Sequence, residues 1–278
     1  EGNNAVIKIE LDGSLLPVGS NGLEITSGQS EVRGLAIHSF RGTPIPRLEF
    51  LDVVLVAENG MGIGLWAGTG NIISGNYLGA RADGSLPSQS PGGRTITSGI
   101  TIGSSSNVVQ ENMIVGSETA GIIIGAGLAD PQARDIHSNK VYGNYIGMAR
   151  DGTTPLPNYS GVLIWGGANA NEIGGGSANL GNLISGNTST GVSIVGATAT
   201  GTFVGSNVIQ RNLIGTDRTG KLIDPDGKAT SGDETGNQHS GIQIMRSPRN
   251  IIGGTTADAG NVLSGNEAGV LIVGSQSD

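Results

Sequence analysis

Gly161-Val-Leu-Ile-Trp-Gly166, Asn171-Glu-Ile-Gly-Gly175 and Gly181-Asn-Leu-Ile-Ser-Gly-Asn187 are three short apolar phrases that follow one another in the chain. Nearly the same text returns at 241–244, 250–254 and 260–266, at offsets of 80, 79 and 79 residues. Such a repeat decides the fold before any local pattern does, because each unit can bury its apolar face only against its neighbours.

Two signatures recur throughout the chain. Gly-aliphatic-x-aliphatic occurs eight times, beginning at Gly22, Gly62, Gly99, Gly121, Gly161, Gly191, Gly241 and Gly269. Asn-x-aliphatic-x-x-Asn occurs six times, with asparagines at 71/76, 107/112, 139/144, 182/187, 207/212 and 261/266. Period-two alternation in pieces bounded by Gly and Asn predicts strands. Because each piece is too short to pair with its sequence neighbour through a hairpin, we expect it to pair in parallel with its own copy one repeat later.

The spacing of the signature glycines predicts the shape. The shortest spacing is 22 residues, which accommodates three strands of about five residues and tight corners, and longer spacings add loops. The predicted fold is all-β: a single-stranded parallel β-helix of about eight three-strand coils, near 40 Å long at a strand spacing of about 4.8 Å. We expect the asparagines to hold the corners, by adopting the left-handed conformation and by bonding amide to amide in a ladder.

Five phrases resemble the right-handed parallel β-helix repeat proteins of bacterial secreted and surface polypeptides. They are Ile9–Ser14, Gly22–Ser27, Val32–Ile37, Asn212–Asp217 and Ile252–Thr256. The resemblance covers most of the chain, apart from residues 41–58, and implies a right-handed β-helix of extracellular or cell-surface location. We therefore expect residues 1–278 to form a single β-helix domain, or one segment of a longer solenoid.

Composition argues against several classes of protein. The net charge of −8 argues against a nucleic-acid partner, whose binding needs a basic surface. No run of about 18 apolar residues occurs, so no segment is expected to span a membrane. The absence of cysteine excludes a disulfide framework and a zinc–thiolate site. Aromatic residues are only 3% of the chain, so aliphatic side chains must fill the interior.

Long segments recur at one corner of the predicted coil. Residues 79–98, 147–160 and 215–240 each join the third strand of one coil to the first strand of the next, on alternate coils. One corner should therefore carry a protruding loop on every second coil, with turns at the Asp-Gly or Thr-Gly steps 83–84, 151–152 and 219–220.

The third loop contains Asp224, Asp226 and Asp233, whose oxygen ligands around a glycine suit calcium. A solvated acidic loop explains the same residues, and no other cofactor is expected.

The first sheet offers little catalytic chemistry. Its outward positions hold one ionisable residue, Glu24, whereas a glycosidase needs paired carboxylates and a lyase needs a base with a cation. An apolar outer stripe includes Trp66 and Trp165, which are candidates for stacking on sugar rings. Cover by the loops is the other explanation of this stripe. The three histidines fall in unrelated coils and predict no metal site.

These observations favour a non-enzymatic, extracellular β-solenoid that acts as a structural spacer, adhesin or filament segment. Its partner would be a second copy, associated end to end or laterally, or a cell-surface polysaccharide. End-to-end stacking is expected because neither terminal strand has a capping segment. The alternative is a polysaccharide lyase, a hydrolase or a sugar-binding module that uses the loop-bearing corner. An enzyme should bring charged side chains from adjacent coils together in a groove, whereas a spacer should disperse them.

Overall fold

The chain winds through three long parallel sheets. The computed structural model describes residues 6–43, 59–88, 94–125, 135–175, 181–196, 205–221 and 235–274. Within these residues there is no helix, and each strand of the three sheets pairs in parallel with the equivalent strand of the next layer. The all-β class and the parallel β-helix predicted from the repeats are confirmed.

The strands are numbered in chain order and belong to three sheets. Sheet 1 contains β2 (Leu23–Ile25), β5 (Met61–Leu65), β8 (Ile96–Ile102), β11 (Ser117–Ile124), β15 (Ser160–Ile164), β19 (Val192–Val195), β22 (Ser240–Met245) and β25 (Ala268–Val273). Sheet 2 contains β3 (Glu31–Arg33), β6 (Ile72–Ser74), β9 (Val108–Gln110), β13 (Lys140–Tyr142), β17 (Glu172–Gly174), β20 (Val208–Gln210) and β23 (Ile251–Ile252). Sheet 3 contains β1 (Ile9–Asp12), β4 (Leu35–His38), β7 (Tyr77–Leu78), β10 (Met113–Ile114), β14 (Tyr145–Ile146), β18 (Leu183–Ile184), β21 (Leu213–Ile214) and β24 (Val262–Leu263). A separate pair joins β12 (Ile136–His137) to β16 (Ala168–Asn169).

The register of sheet 1 follows the glycine signature. Val162 pairs with Val192, Val192 with Ile242, and Ile242 with Val270, in one continuous row. The phrases that begin at Gly161 and Gly241 therefore lie two layers apart, with β19 between them. The 80-residue sequence repeat thus spans two layers, which explains why the long loops occur on alternate layers.

Aliphatic side chains fill the interior, as expected. One continuous core runs from Ile37 at one end to Ile244 at the other, and its buried members are Ile, Val, Leu, Ala and a single Phe, Phe40. At the edge of sheet 1, β25 occupies the same interior rows, but Val270 and Ile272 are exposed there. Stacking of identical rows thus buries the apolar face of every inner layer.

Asparagine ladders run along all three corners. In the ladder between sheets 1 and 2, each side-chain Nδ2 donates to Oδ1 of the asparagine one layer on, at 2.9–3.2 Å: Asn71, Asn107, Asn139, Asn171, Asn207 and Asn250. Between sheets 2 and 3 the ladder is Asn76, Asn112, Asn144, Asn182, Asn212 and Asn261. Between sheets 3 and 1 it is Asn158, Asn187, Asn237 and Asn266. The predicted amide ladder is therefore present, in three copies.

The predicted backbone role of these asparagines is wrong. Among the described residues, no asparagine has a positive φ; the residue before it often does, as at Ser106 (59°), Ser138 (58°) and Ala170 (49°). The preceding residue makes the left-handed step, and the asparagine side chain then holds the corner. The same asparagine signature also occurs around strands of two different sheets. Asn139 and Asn144 flank β13 of sheet 2, whereas Asn182 and Asn187 flank β18 of sheet 3.

The described parts of the corner loops fold back over sheet 3. Ala80, Ala82, Leu86 and Leu156 pack against a buried outer cluster that contains Tyr77 and Met113. These segments therefore cover an outer face, and the expectation that they protrude is wrong for them.

Successive corner loops also contact one another. The Arg218 backbone N–H donates to the Gly152 carbonyl at 3.0 Å, and a Cβ placed on Gly152 would lie 2.8 Å from Arg218 Cβ. The loop after β21 thus packs on the loop after β14 at this corner.

Candidate binding site

The two tryptophans predicted to bind sugar lie on the outer face of sheet 1, at equivalent positions after β5 and β15. A Cβ on Gly103 would lie 2.9 Å from the Trp66 ring, and one on Gly125 would lie 2.4 Å from Cδ1 of Trp165. Each indole therefore packs over a glycine of the neighbouring layer and is half-buried. The sugar-stacking role remains a prediction.

The centre of the outer stripe of sheet 1 is buried. Ile123 is fully buried and Leu163 is 6% exposed; together with Ala120 they form a cluster against which Trp165 and Val195 pack. Of the two explanations for this stripe, cover accounts for the burial of its central members.

The proposed calcium ligands Asp224, Asp226 and Asp233 lie outside the described residues. In the part of the chain that the structure describes, no group of three or more His, Asp or Glu side chains is placed to hold a metal ion. Calcium therefore remains a prediction for the third loop alone.

A histidine flanked by carboxylates lies where β1 and β4 pair. Asp12 is opposite His38 in the ladder, and Glu10 lies two residues earlier on the same outer face. His38 is 1% exposed, and its Nε2 lies 2.8 Å from Glu10 Oε1 while its Nδ1 lies 3.5 Å from Asp12 Oδ1. This cluster joins the edge strand of sheet 3 to the layer beside it.

Both carboxylates of this cluster are held in the ionised form. The backbone N–H of Ala82 donates to Glu10 Oε2 at 2.9 Å, and that bond together with His38 lowers the pKa of Glu10. Burial has the largest single effect on Asp12 and would raise its pKa, but the hydrogen bonds from Ser14, together with His38 and Ser39, outweigh it and the pKa is lowered.

The contact between His38 and Ser39 resembles part of a nucleophilic triad, but it is a local feature of the chain. Nδ1 of His38 lies 2.8 Å from the Ser39 hydroxyl. Every histidine in the sequence is followed by serine, and the other two such pairs have the same contact at 3.0 Å. Since both ring nitrogens of His38 already have partners within the protein, the histidine is suited to fixing Glu10 and β1 in place.

The cluster lines a cavity of about 570 Å³ at the corner between sheets 3 and 1. Its wall comes from three successive layers: the turn after β1, the segment after β4 and the loop after β7. The polar lining is Asp12, Ser14, His38, Ser39, Arg41, Arg81 and Ser88, and the apolar lining is Leu15, Leu16, Pro17, Val18 and Pro87, with Gly13 between them. The volume lies within the range of roughly 300–1,000 Å³ that small-molecule sites occupy.

Sequence reasoning treated His38 as isolated, and the structure corrects this. The phrases Ile9-Glu-Leu-Asp12 and Leu35-Ala-Ile-His38 share the same alternation, so stacking them one layer apart would have placed Asp12 beside His38. The signal lies in the outward positions of sheet 3, whereas the outward positions of sheet 1 hold only Glu24 as an ionisable residue.

Other described ion pairs are scattered over the surface. Arg33 and Glu31 are 3.3 Å apart on β3, Lys140 and Glu172 are 3.9 Å apart on neighbouring strands of sheet 2, and Arg211 lies 3.2 Å from Asp258. Exposed pairs of this kind contribute about 0–1 kcal/mol each and form no shared site.

Comparison of the chain with protein-family models, with curated proteins and with solved structures finds no match. The fold therefore rests on the strand register itself. A search of the described residues for a helix that is long and apolar enough to cross a bilayer finds none.

Proposed function

We propose that this chain is a rigid structural spacer of an extracellular or cell-surface protein, with the architecture of a right-handed parallel β-helix repeat protein. The observation that carries the proposal is the continuity of the three sheets, locked at every corner by an asparagine ladder. A two- or three-residue strand has little stability alone, so its position depends on hydrogen bonds to the layers on both sides. Continuous pairing of this kind resists bending.

A spacer is favoured over a filament of identical subunits by the chemistry of the outermost layers. Two ladders end without an amide side chain: Ser30, before the outermost strand β3, donates its backbone N–H to Asn71, and Leu35, in the second strand of sheet 3, donates to Asn76. In the outermost strand β1, the residue that pairs with Leu35 is Ile9, which also has no amide side chain. A second copy stacked on β23 and β24 would therefore present no amide oxygen to the ladders that end at Asn250 and Asn261. Head-to-tail stacking would interrupt two of the three ladders.

A substitution experiment in the producing cell tests the spacer role. Residues 1–278 are replaced by an unrelated β-solenoid of equal length, and the activity of the protein that carries them is measured. A spacer predicts that activity is retained, because only length and stiffness are used. Loss of activity while the hybrid is still displayed, as checked by antibody labelling of intact cells, would contradict it.

A further inference from the structure

The cavity at the corner between sheets 3 and 1 combines two features of a binding site. It has a charged wall that contains Arg81, and beside it a turn that leaves large apolar side chains in water: Leu15 is 96% exposed, Leu16 is 52% exposed and Val18 is 61% exposed. This turn joins the outermost strands β1 and β2, and the other large exposed apolar residues of the described chain also lie in, or just before, the outermost strands: Val6, Ile9, Ile251, Val262, Val270, Ile272 and Val273. Exposed apolar groups beside a polar cleft commonly mark a ligand surface.

The acidic groups of the cavity are already engaged within the protein. Glu10 accepts from Ala82 and contacts His38, and Asp12 accepts from the Ser14 N–H at 2.9 Å. The guanidinium of Arg81 is exposed and, in the described part of the chain, forms no ion pair within 4 Å. The cavity can therefore offer to an anionic ligand the guanidinium of Arg81, whose charge also helps to lower the pKa of Glu10 and Asp83.

We propose that this cavity binds the carboxylate of an aliphatic acid, of the kind that a peptide presents at a C-terminal leucine or valine. The planar guanidinium of Arg81 matches a carboxylate through two parallel hydrogen bonds. Leu16, Val18 and Pro87 provide an aliphatic wall for the ligand side chain. A carboxylated sugar has the same charge, but it would prefer a Trp, Tyr or Phe platform, and none of the described lining residues is of these types.

Calorimetric titration of the full chain tests this proposal with N-acetyl-leucine as the probe. Its neutral amide, N-acetyl-leucinamide, removes the charge, and glucuronate keeps the carboxylate but presents it on a polar sugar ring without an aliphatic side chain. We expect N-acetyl-leucine to bind, and both other compounds to bind at least about tenfold more weakly, because a charged hydrogen bond and an apolar contact are each lost. Binding should also weaken with added salt.

Two variants locate the site. Arg81→Gln should weaken binding of N-acetyl-leucine by about tenfold or more, and Leu16→Ser should weaken it while leaving the preference for carboxylate over amide unchanged. Arg33→Gln is the matched control, because that arginine is equally exposed but lies on sheet 2, and it should bind as the parent does. Circular dichroism confirms that each variant is folded.

Three outcomes would overturn the proposal: affinity for N-acetyl-leucine weaker than about 10 mM, equal binding of the amide, or no effect of Arg81→Gln in a folded protein. Tighter binding of glucuronate than of N-acetyl-leucine would show that the site prefers a carboxylated sugar, and would overturn the proposal that the ligand is an aliphatic acid. The spacer role depends on none of these results.

Discussion

At the scale of single residues, the asparagines of the corners determine the fold. Asn144 is fully buried, and its Nδ2 donates to the Val109 carbonyl at 2.9 Å and to Asn182 Oδ1 at 3.0 Å. Its own Oδ1 accepts from the N–H and Nδ2 of Asn112. One side chain thus ties together three layers, and the left-handed step beside it falls on Gly143, which adopts that conformation without the steric cost that other residues have.

Removing one asparagine should break the ladder at that layer. For Asn144→Ala we expect the free energy of unfolding to fall by about 2–4 kcal/mol, because several buried donors and acceptors lose their partners. Urea unfolding followed by circular dichroism measures this change. Asn169→Ala is the matched control: that amide is half-exposed, and its loss should cost less than about 1 kcal/mol. Equal effects of the two substitutions would show that the ladder adds no stability.

Glycines make room for the two tryptophans, and this gives a second prediction. In Gly125→Ala the new methyl group would meet the Trp165 carbonyl oxygen at 2.5 Å, so the backbone or the ring must shift. We expect a loss of about 1–3 kcal/mol in the free energy of unfolding and a changed tryptophan emission spectrum. Gly260→Ala has nothing within 4 Å of the added carbon and should change neither. An unchanged spectrum in Gly125→Ala would contradict the packing described for Trp165.

At the scale of elements, the three corner loops share one acid-sensitive turn. Burial alone would raise the pKa of Asp151, but hydrogen bonds from Thr153 and Thr154 outweigh it and lower the pKa below its ordinary value of 3.8. Hydrogen bonds from Ser85 lower the pKa of Asp83. Hydrogen bonds from Lys221 and Thr219 lower the pKa of Asp217 in the same way.

The sign of this shift predicts an acid profile. Because the folded-state pKa of Asp151 lies below the unfolded-state value, its stabilisation is present above about pH 3.8 and is lost as the pH falls through the folded-state pKa. Asp151→Asn should therefore lower the thermal midpoint at pH 7 and reduce its dependence on pH below about pH 4. Asp258→Asn, which removes only an exposed ion pair with Arg211, is the control for the substitution itself. A variant Asp151→Asn with the parent's acid profile would contradict the turn geometry.

The strands and their register were predictable from sequence, whereas their surroundings were not. Gly161, Gly191 and Gly241 mark sheet 1 because a glycine must precede each strand where the layers approach closely; a Cβ on Gly161 would lie 2.4 Å from the Gly191 carbonyl oxygen. The asparagine signature alone cannot distinguish sheet 2 from sheet 3, since the same residues serve both corners. The packing of the corner loops over sheet 3 was not predictable. Ala82 and Leu156 contact the cluster around Tyr77, but they belong to no repeated sequence pattern that would indicate this contact.

The cavity was hidden for a related reason. Its titratable and charged members are Asp12, His38, Arg41 and Arg81, which belong to three layers and have no shared sequence signature. Only the stacking of β1 on β4, with the loop after β7 beside them, brings them together. Sites of this kind in a solenoid follow from register across layers and cannot be read along the chain.

At the scale of the whole molecule, the central claim is that layers stack in strict register along one axis. In sheet 2 a single outer row contains Glu31, Ile72, Val108, Lys140, Glu172, Val208 and Ile251. At about 4.8 Å per strand, Glu31 and Ile251 should be about 29 Å apart, and Glu31 and Glu172 about 19 Å apart. The absence of native cysteine allows spin labels to be placed at these positions alone.

Double electron–electron resonance on two spin-labelled variants measures these distances between layers directly. One carries Glu31→Cys with Ile251→Cys, and the other carries Glu31→Cys with Glu172→Cys, so the length of the labels cancels in the difference. The stacked rod predicts two narrow distance distributions whose maxima differ by about 10 Å, the height of two layers. Broad distributions, or maxima that do not differ, would contradict it.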